Sequence, residues 1–235
     1  MRLRNRRYIR VWWSSLLFLF VSWTPAQAVS IIDTFGPANG GNDYHPTNEL
    51  AVLRDLDALI AVETAVAFTP SGADYRLQTI ELGMTLYNPD NVLEIWLTTD
   101  AGGVPGVILE SFTLSNQLTA YPGVDPPVVI TSVLEPILVA GQSYWVVARI
   151  PESNNGYVAW HSNVISATGT VKHRTTTELG TGSWTGGTTS LPAFRVSGVA
   201  VPEPSAVSLV AFGLLALGRP SRSPAPRPRT RSPRR

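Results

Sequence analysis

The residues that could do chemistry are few, and their spacing decides what chemistry is open to them. Three histidines are present, His45, His161 and His173, and none stands two or four positions from another. With no cysteine and no H-E-x-x-H in the chain, a zinc site has no framework. Serine catalysis needs a nucleophile on a strained turn, but there is no G-x-S-x-G, and Ser71-Gly72 reads as a hairpin turn. Carboxylates for glycoside hydrolysis need only meet in space. Glu81, Glu94 and Glu110 therefore count as candidates, although their alternating positions in strand-like stretches also describe a solvated outer face. Asp100 with the carbonyls of "DAGGVPG", or Asn88, Asp90 and Asn91, offers oxygens to Ca²⁺. Calcium wants six to eight of them, no D-x-D-x-D-G is present, and turns account for both stretches.

Aromatic residues give a second kind of signal. Trp184 lies in a Gly/Thr-rich loop, "GTGSWTGGTT", where an indole either offers a platform to a sugar ring or plugs the end of a β-structure. Tyr157 and Trp160 stand on opposite sides of one strand, "GYVAWHS". These three are the candidate carbohydrate-binding residues. The runs "TTT" and "GGTTS" lack the regular repeat of an ice-binding face.

The elements that must position these residues are short strands separated by turns. "IELGMTL" places Ile80, Leu82, Met84 and Leu86 on one face. "VLEIWLTTD" places Leu93, Ile95 and Leu97 on one side, with Val92, Glu94 and Trp96 on the other. "SYWVVARIP" alternates Tyr144, Val146, Ala148 and Ile150. With "ETAVAFTP", "VILESFTLS", "VVITSVL", "GTVKHRTT" and "PAFRVSG", this pattern predicts an all-β fold of nine or ten strands, an antiparallel β-sandwich of jelly-roll type or a barrel. One segment disagrees. In "NELAVLRDLDALIAV", Leu50, Leu53, Leu56, Leu59 and Ile60 approach helical spacing, so residues 48–60 are expected to form a short helix, the alternative being two strand pieces around Arg54 and Asp57.

The formal net charge of +1 conceals an uneven layout. Between Val29 and Val201 six basic residues stand against sixteen acidic ones, a net of −10, and the remaining arginines crowd the two ends. An acidic body argues against a nucleic-acid partner, because a phosphate backbone needs cations to displace its counterions. At the N-terminus, arginines precede the apolar stretch Val11–Trp23 and then Ala26-Gln27-Ala28. That order predicts a secretory signal peptide over residues 1–28, cut by signal peptidase after the small residues Ala26 and Ala28. Residues 29–200 then form the domain, which holds its fold without disulfides.

After the domain comes "VPEPS", residues 201–205, then thirteen uncharged residues, Ala206–Gly218, and an Arg/Pro-rich tail over 219–235. Thirteen helical residues span about 20 Å against a hydrocarbon core of about 30 Å. The run is expected to act as a short transmembrane stop-transfer helix, with the arginines held on the cytoplasmic side. Pro202 and Pro204 keep Glu203 extended, in a form a processing enzyme can bind.

Val201, Pro202, Glu203, Pro204 and Ser205, with the apolar run and terminal arginines that follow, resemble the PEP-CTERM sorting signal of exported bacterial proteins. The same region is also described at the C-terminus of some ice-binding proteins. The resemblance implies a membrane protease of the exosortase type as partner, transient anchoring in the inner membrane, release to the cell surface or medium, and an association with exopolysaccharide and biofilm. The body, through "AVAFTPSGADYRLQTIELGM", "LEIWLTTDAGGVPGVILESF", "LVAGQSYWVVARI" and "PAFRVSG", resembles the exported choice-of-anchor β-sandwich domains. Those are accessory domains with no assigned chemistry, cofactor or catalytic residues. The expected function is thus a non-catalytic surface or matrix protein. The alternatives are a carbohydrate-binding module built on exposed aromatics and a surface hydrolase with paired carboxylates.

Overall fold

The computed structural model describes residues 27–36, 44–87, 90–121, 126–177 and 181–202. The chain is all-β: among the described residues there are fifteen strands and no helix. In order they are β1 (Val29–Asp33), β2 (Tyr44–Asp55), β3 (Ile60–Phe68), β4 (Tyr75–Leu82), β5 (Met84–Leu86), β6 (Val92–Asp100), β7 (Pro105–Ser115), β8 (Thr119–Ala120), β9 (Val128–Thr131), β10 (Ile137–Leu138), β11 (Tyr144–Arg149), β12 (Gly156–Asn163), β13 (Thr168–Thr176), β14 (Thr185–Ser190) and β15 (Phe194–Ala200). The excess over nine or ten comes from short pieces such as β5, β8 and β10, too brief to show a period-2 pattern.

Two sheets result. The small one runs β1-β15-β4-β10, with β9 also on β4. The large one runs β7-β6-β11-β3-β2-β12-β5-β8, and the β13–β14 hairpin joins it at β3. All pairings are antiparallel except β5 with β8, which is parallel, so the large sheet is mixed rather than purely antiparallel. One continuous apolar core draws on both sheets: Leu77, Ile80, Leu82 and Phe194 come from the small sheet, and Leu93, Leu97, Val146 and Trp160 from the large. The alternation in β6 and β11 predicts this well, since Leu93, Ile95, Leu97, Val146, Ala148 and Ile150 are all enclosed.

"IELGMTL" behaves in a way its pattern conceals. Ile80, Leu82, Met84 and Leu86 all point into the core, yet β4 belongs to the small sheet and β5 to the large. Gly83 is the crossing point. Its N–H donates to the Ala193 carbonyl at 3.0 Å and its carbonyl accepts from the His161 N–H at 2.9 Å. A Cβ there would lie 2.9 Å from Tyr44 Cδ1 and 3.1 Å from Ala193 Cβ, so the close approach requires glycine.

The helix expected over residues 48–60 is not formed. Leu50 and Leu53 lie in β2, paired with Trp160 and Tyr157 of β12, and Ile60 opens β3. Between them Asp55 accepts the N–H groups of Asp57 and Ala58, both at 2.9 Å, and Leu59 adopts a left-handed backbone, φ 52°. Sheet pairing along β12 and an aspartate-capped turn outweigh the leucine spacing, because propensity yields to tertiary context.

Candidate functional site

The outward face of the large sheet carries the most organised polar and aromatic chemistry in the molecule. Sheet register builds it. In one row across four strands, Arg174 of β13 faces Glu63 of β3, Arg149 of β11 follows, and Glu94 of β6 faces Arg149. The signs alternate along the row. Glu63 is fully buried. Arg174 Nε donates to its Oε2 at 2.8 Å and Arg174 Nη2 also reaches that oxygen, while Arg149 Nη1 lies 3.8 Å from Oε1. Arg149 Nε is 3.2 Å from Glu94 Oε2. A buried carboxylate is tolerated here because two guanidinium groups compensate its lost hydration.

The next row along the strands is apolar: Ala65 of β3, Val147 of β11 and Trp96 of β6. The row after it holds Ala67, Trp145 and Thr98. Trp145 is buried, and its Nε1 donates to Asp100 Oδ1 at 2.7 Å. The N–H of Gly103 and the indole of Trp145 hold the Asp100 carboxyl below its usual range. Gly102 and Gly103 take positive φ, 75° and 86°, so that their N–H groups can turn onto the same carboxylate. Asp100 therefore closes the β6–β7 hairpin and braces a tryptophan. Its oxygens are engaged in a way that leaves the calcium expectation without support at this turn. Asp90 Oδ2 accepts the Asn155 N–H, and Asn91 ties both its amide atoms to Leu118. Asn88 lies outside the described residues.

Above these rows lies a depression of about 200 Å³ lined by Trp96, Thr98, Ile108, Val147, Arg174 and Trp184. Each tryptophan at its rim is braced by an arginine of the charged row. The Arg149 guanidinium sits 4.4 Å from the Trp96 ring centre, and that of Arg174 sits 4.5 Å from the Trp184 ring centre. Thr98 is buried, and its hydroxyl has no hydrogen-bond partner among the described residues. The site thus combines two half-buried indoles, each with an arginine on it and packed against Ala65, Trp145 and Val147, over an apolar floor. No protein-family model, curated protein or solved structure matches this chain.

Of the three aromatics the sequence singles out, only Trp184 belongs to this groove. Trp160 is fully buried in the core; its Nε1 donates to the Ala193 carbonyl at 3.1 Å and its ring meets Phe194 edge-on. A sugar platform must face solvent, so the expectation is corrected for Trp160. Tyr157 is half-buried in a different place. Its ring stacks on Tyr87 at 4.7 Å, Tyr87 stacks on Tyr121 at 4.2 Å, and both Tyr157 and Tyr87 donate to the Glu49 carboxylate at 3.1 Å. Burial and that carboxylate push both phenols above their usual range. The column continues through His161, 6.4 Å from Tyr121, to Tyr44, 5.1 Å beyond.

The glutamate candidates also resolve. Glu110 does not face solvent. It is buried, accepting Ser132 Oγ at 2.6 Å and the N–H groups of Val133 and Leu134 at 2.7 and 2.9 Å. The β9–β10 connection folds over it, which the strand pattern alone did not foretell. Glu81 pairs with Arg195 and Glu94 with Arg149. Among the described residues no group of three histidine or carboxylate side chains is placed to hold a metal.

Sequence reasoning missed Glu63, Arg149 and Arg174, and it noted Trp96 only as an outward strand residue. Of the sorting motif, Val201 and Pro202 are described: the Val201 N–H donates to the Asp74 carbonyl at 2.8 Å, and Pro202 is exposed. Glu203, Pro204, Ser205, the run 206–218 and the tail lie outside the described residues, as does Ala26; Ala28 is described and exposed.

Proposed function

We propose that this chain is an exported, non-catalytic surface protein whose two sheets pack as a β-sandwich of jelly-roll type and whose large sheet binds carbohydrate in the Trp96–Trp184 groove. The observation that carries the reading is the pair of indoles, each stacked on an arginine on one side and half-exposed at the rim of one depression. Pyranose rings present C–H faces that pack on aromatic planes. The alternation of charges beneath the groove cancels locally, which suits a neutral or weakly charged glycan. The hydrolase reading gains no support, since Glu63 and Glu94 are engaged by arginines rather than aimed together into a cleft.

The signal-like N-terminus and the "VPEPS" region supply the route. Signal peptidase removes residues 1–28, the run 206–218 arrests transfer, and an exosortase-type protease reads Glu203 and releases the domain to the surface or matrix, where an exopolysaccharide is the ligand. The test of the binding half is affinity electrophoresis of the purified protein through gels containing bacterial exopolysaccharides. Retardation that Trp184→Ala and Trp96→Ala each abolish, while the domain stays folded with a loss of no more than about 2 kcal/mol, supports the reading. Equal mobility of wild type and variants in every gel refutes it. The test of the sorting half is Glu203→Ala in a host with the processing enzyme: the signal-cleaved chain should stay in the inner membrane, and release at the wild-type rate refutes recognition of this motif.

A further inference from the structure

The outer face of the small sheet carries an apolar patch that neither the groove nor the core explains. Within nine residues, Val129, Val133, Leu134 and Ile137 are 56, 84, 68 and 52% exposed. Val129 lies opposite Glu81 and Ile137 opposite Arg76, which puts them on the open side of β4. Val133 and Leu134 project from the turn between β9 and β10. That turn is firmly built: the buried Glu110 carboxylate holds both N–H groups, Ser132 Oγ accepts the Glu135 N–H at 2.9 Å, and Glu135 takes a left-handed backbone, φ 46°. A buried carboxylate and a disfavoured backbone are thus committed to presenting two aliphatic side chains to the outside.

The same corner is where the chain leaves the domain. Glu135 and Arg76, an ion pair at 3.6 Å, line a depression of about 260 Å³ together with Val199, Val201 and Pro202. From Pro202 to Ala206, the first residue of the apolar run, is four residues. Fully extended, they reach at most about 14 Å. Whatever bilayer receives residues 206–218, this corner is tethered within that distance of its surface.

We propose that the Val133–Leu134 turn, with Val129 and Ile137, docks into the lipid headgroup–acyl boundary while the C-terminal run is inserted. The inference rests on the anchor reading of residues 206–218. Interfacial binding grows with buried apolar area, and a tether raises the effective concentration of the patch at the membrane. Docking fixes the orientation of the domain on its anchor, presenting the "VPEPS" segment at a set height above the membrane. The large sheet, on the other side of the core, is left facing away from the lipid.

The chain has no native cysteine, so single-cysteine reporters are clean. Full-length Leu134→Cys, Ile137→Cys, Leu214→Cys and, on β14 of the other sheet at the end away from β7, Thr188→Cys are each labelled with bimane. They are reconstituted in vesicles of phosphatidylethanolamine and phosphatidylglycerol carrying a nitroxide-labelled lipid. The expected result is loss of most of the emission at positions 134, 137 and 214, with none at 188. Quenching at 214 with none at 134 and 137 overturns the docking proposal and leaves the anchor standing, the patch then being covered by a second copy or by nothing. Absence of quenching at 214 removes the anchor reading and the docking with it. Equal quenching at 188 and 134 overturns the assignment of this face.

Discussion

Two aromatic clusters lie on the large sheet, and they differ in what covers the faces of their rings. In the Tyr157–Tyr87–Tyr121–His161–Tyr44 column each ring is stacked on the next, from 4.2 to 6.4 Å, so the stacking surface is spent internally. In the groove, Trp96 and Trp184 are each stacked on an arginine instead, and both line one depression. The column is consequently a packing device that ties β12, β5 and β8 together at the edge of the sheet. In the groove the two indoles pack on the Ala65–Trp145–Val147 cluster and remain half-exposed at the rim of the depression. The presence of aromatics near a surface is therefore less informative than whether their rings stack on one another or line a depression.

The largest effect is expected at the charged row. Glu63→Ala leaves two arginines beneath the groove without their shared carboxylate. Removing one side of a buried ion pair costs about 3–5 kcal/mol, and urea unfolding should show it. Binding should fall as well, since Arg174, which stacks on Trp184, loses its carboxylate and Arg149 keeps only Glu94. A variant with wild-type stability would mean that the row does not organise the site. Next comes Trp184→Ala, which should abolish retardation by polysaccharide while costing about 0.5–2 kcal/mol, the scale of one cation–π contact. A loss near the 3–5 kcal/mol of a core aromatic would place Trp184 with Trp160 instead. Tyr157→Phe removes one hydrogen bond to Glu49 and keeps the ring, so a loss of about 1–2 kcal/mol with binding intact is expected by equilibrium unfolding; lost binding would join the two clusters functionally.

The smallest effect is that of pH. Burial holds His161 and His173 below the usual histidine pKa. Their folded forms take up protons less readily than their unfolded forms, so stability is fully present above the unfolded pKa of about 6.5 and falls as pH drops below it. Melting temperature should decline from pH 7.5 to pH 5.5. His161→Gln should flatten that decline more than Tyr157→Phe does, and an unchanged slope would contradict the burial of an uncharged imidazole in the column.

The strands that frame these sites were legible because period-2 alternation reports burial directly, as at Leu93, Ile95 and Leu97. Residues 48–60 misled because leucines at near-helical spacing say nothing of their partner strand β12, which begins about a hundred residues later. Trp184 stood out by its glycine-rich surroundings. Its companions did not, because Arg174, Glu63 and Arg149 meet only through the register of strands far apart in sequence. A rare clue existed: the body between Val29 and Val201 has only six cations, and one of them, Arg149, falls within the apolar stretch YWVVARI, where a charge needs a partner. Glu110 was misjudged for a similar reason, since the turn that encloses it arrives from beyond the next loop.

If the groove binds polysaccharide, its two half-exposed indoles carry the retention and the stacked tyrosines of the column do not. Affinity electrophoresis of Trp184→Ala beside Tyr87→Ala, in one gel containing a retarding exopolysaccharide, tests it most directly. Tyr87 is exposed but stacked on both sides. Free migration of Trp184→Ala with full retardation of Tyr87→Ala is the predicted result. Retardation of Trp184→Ala at the wild-type position, or release of Tyr87→Ala instead, would contradict the account.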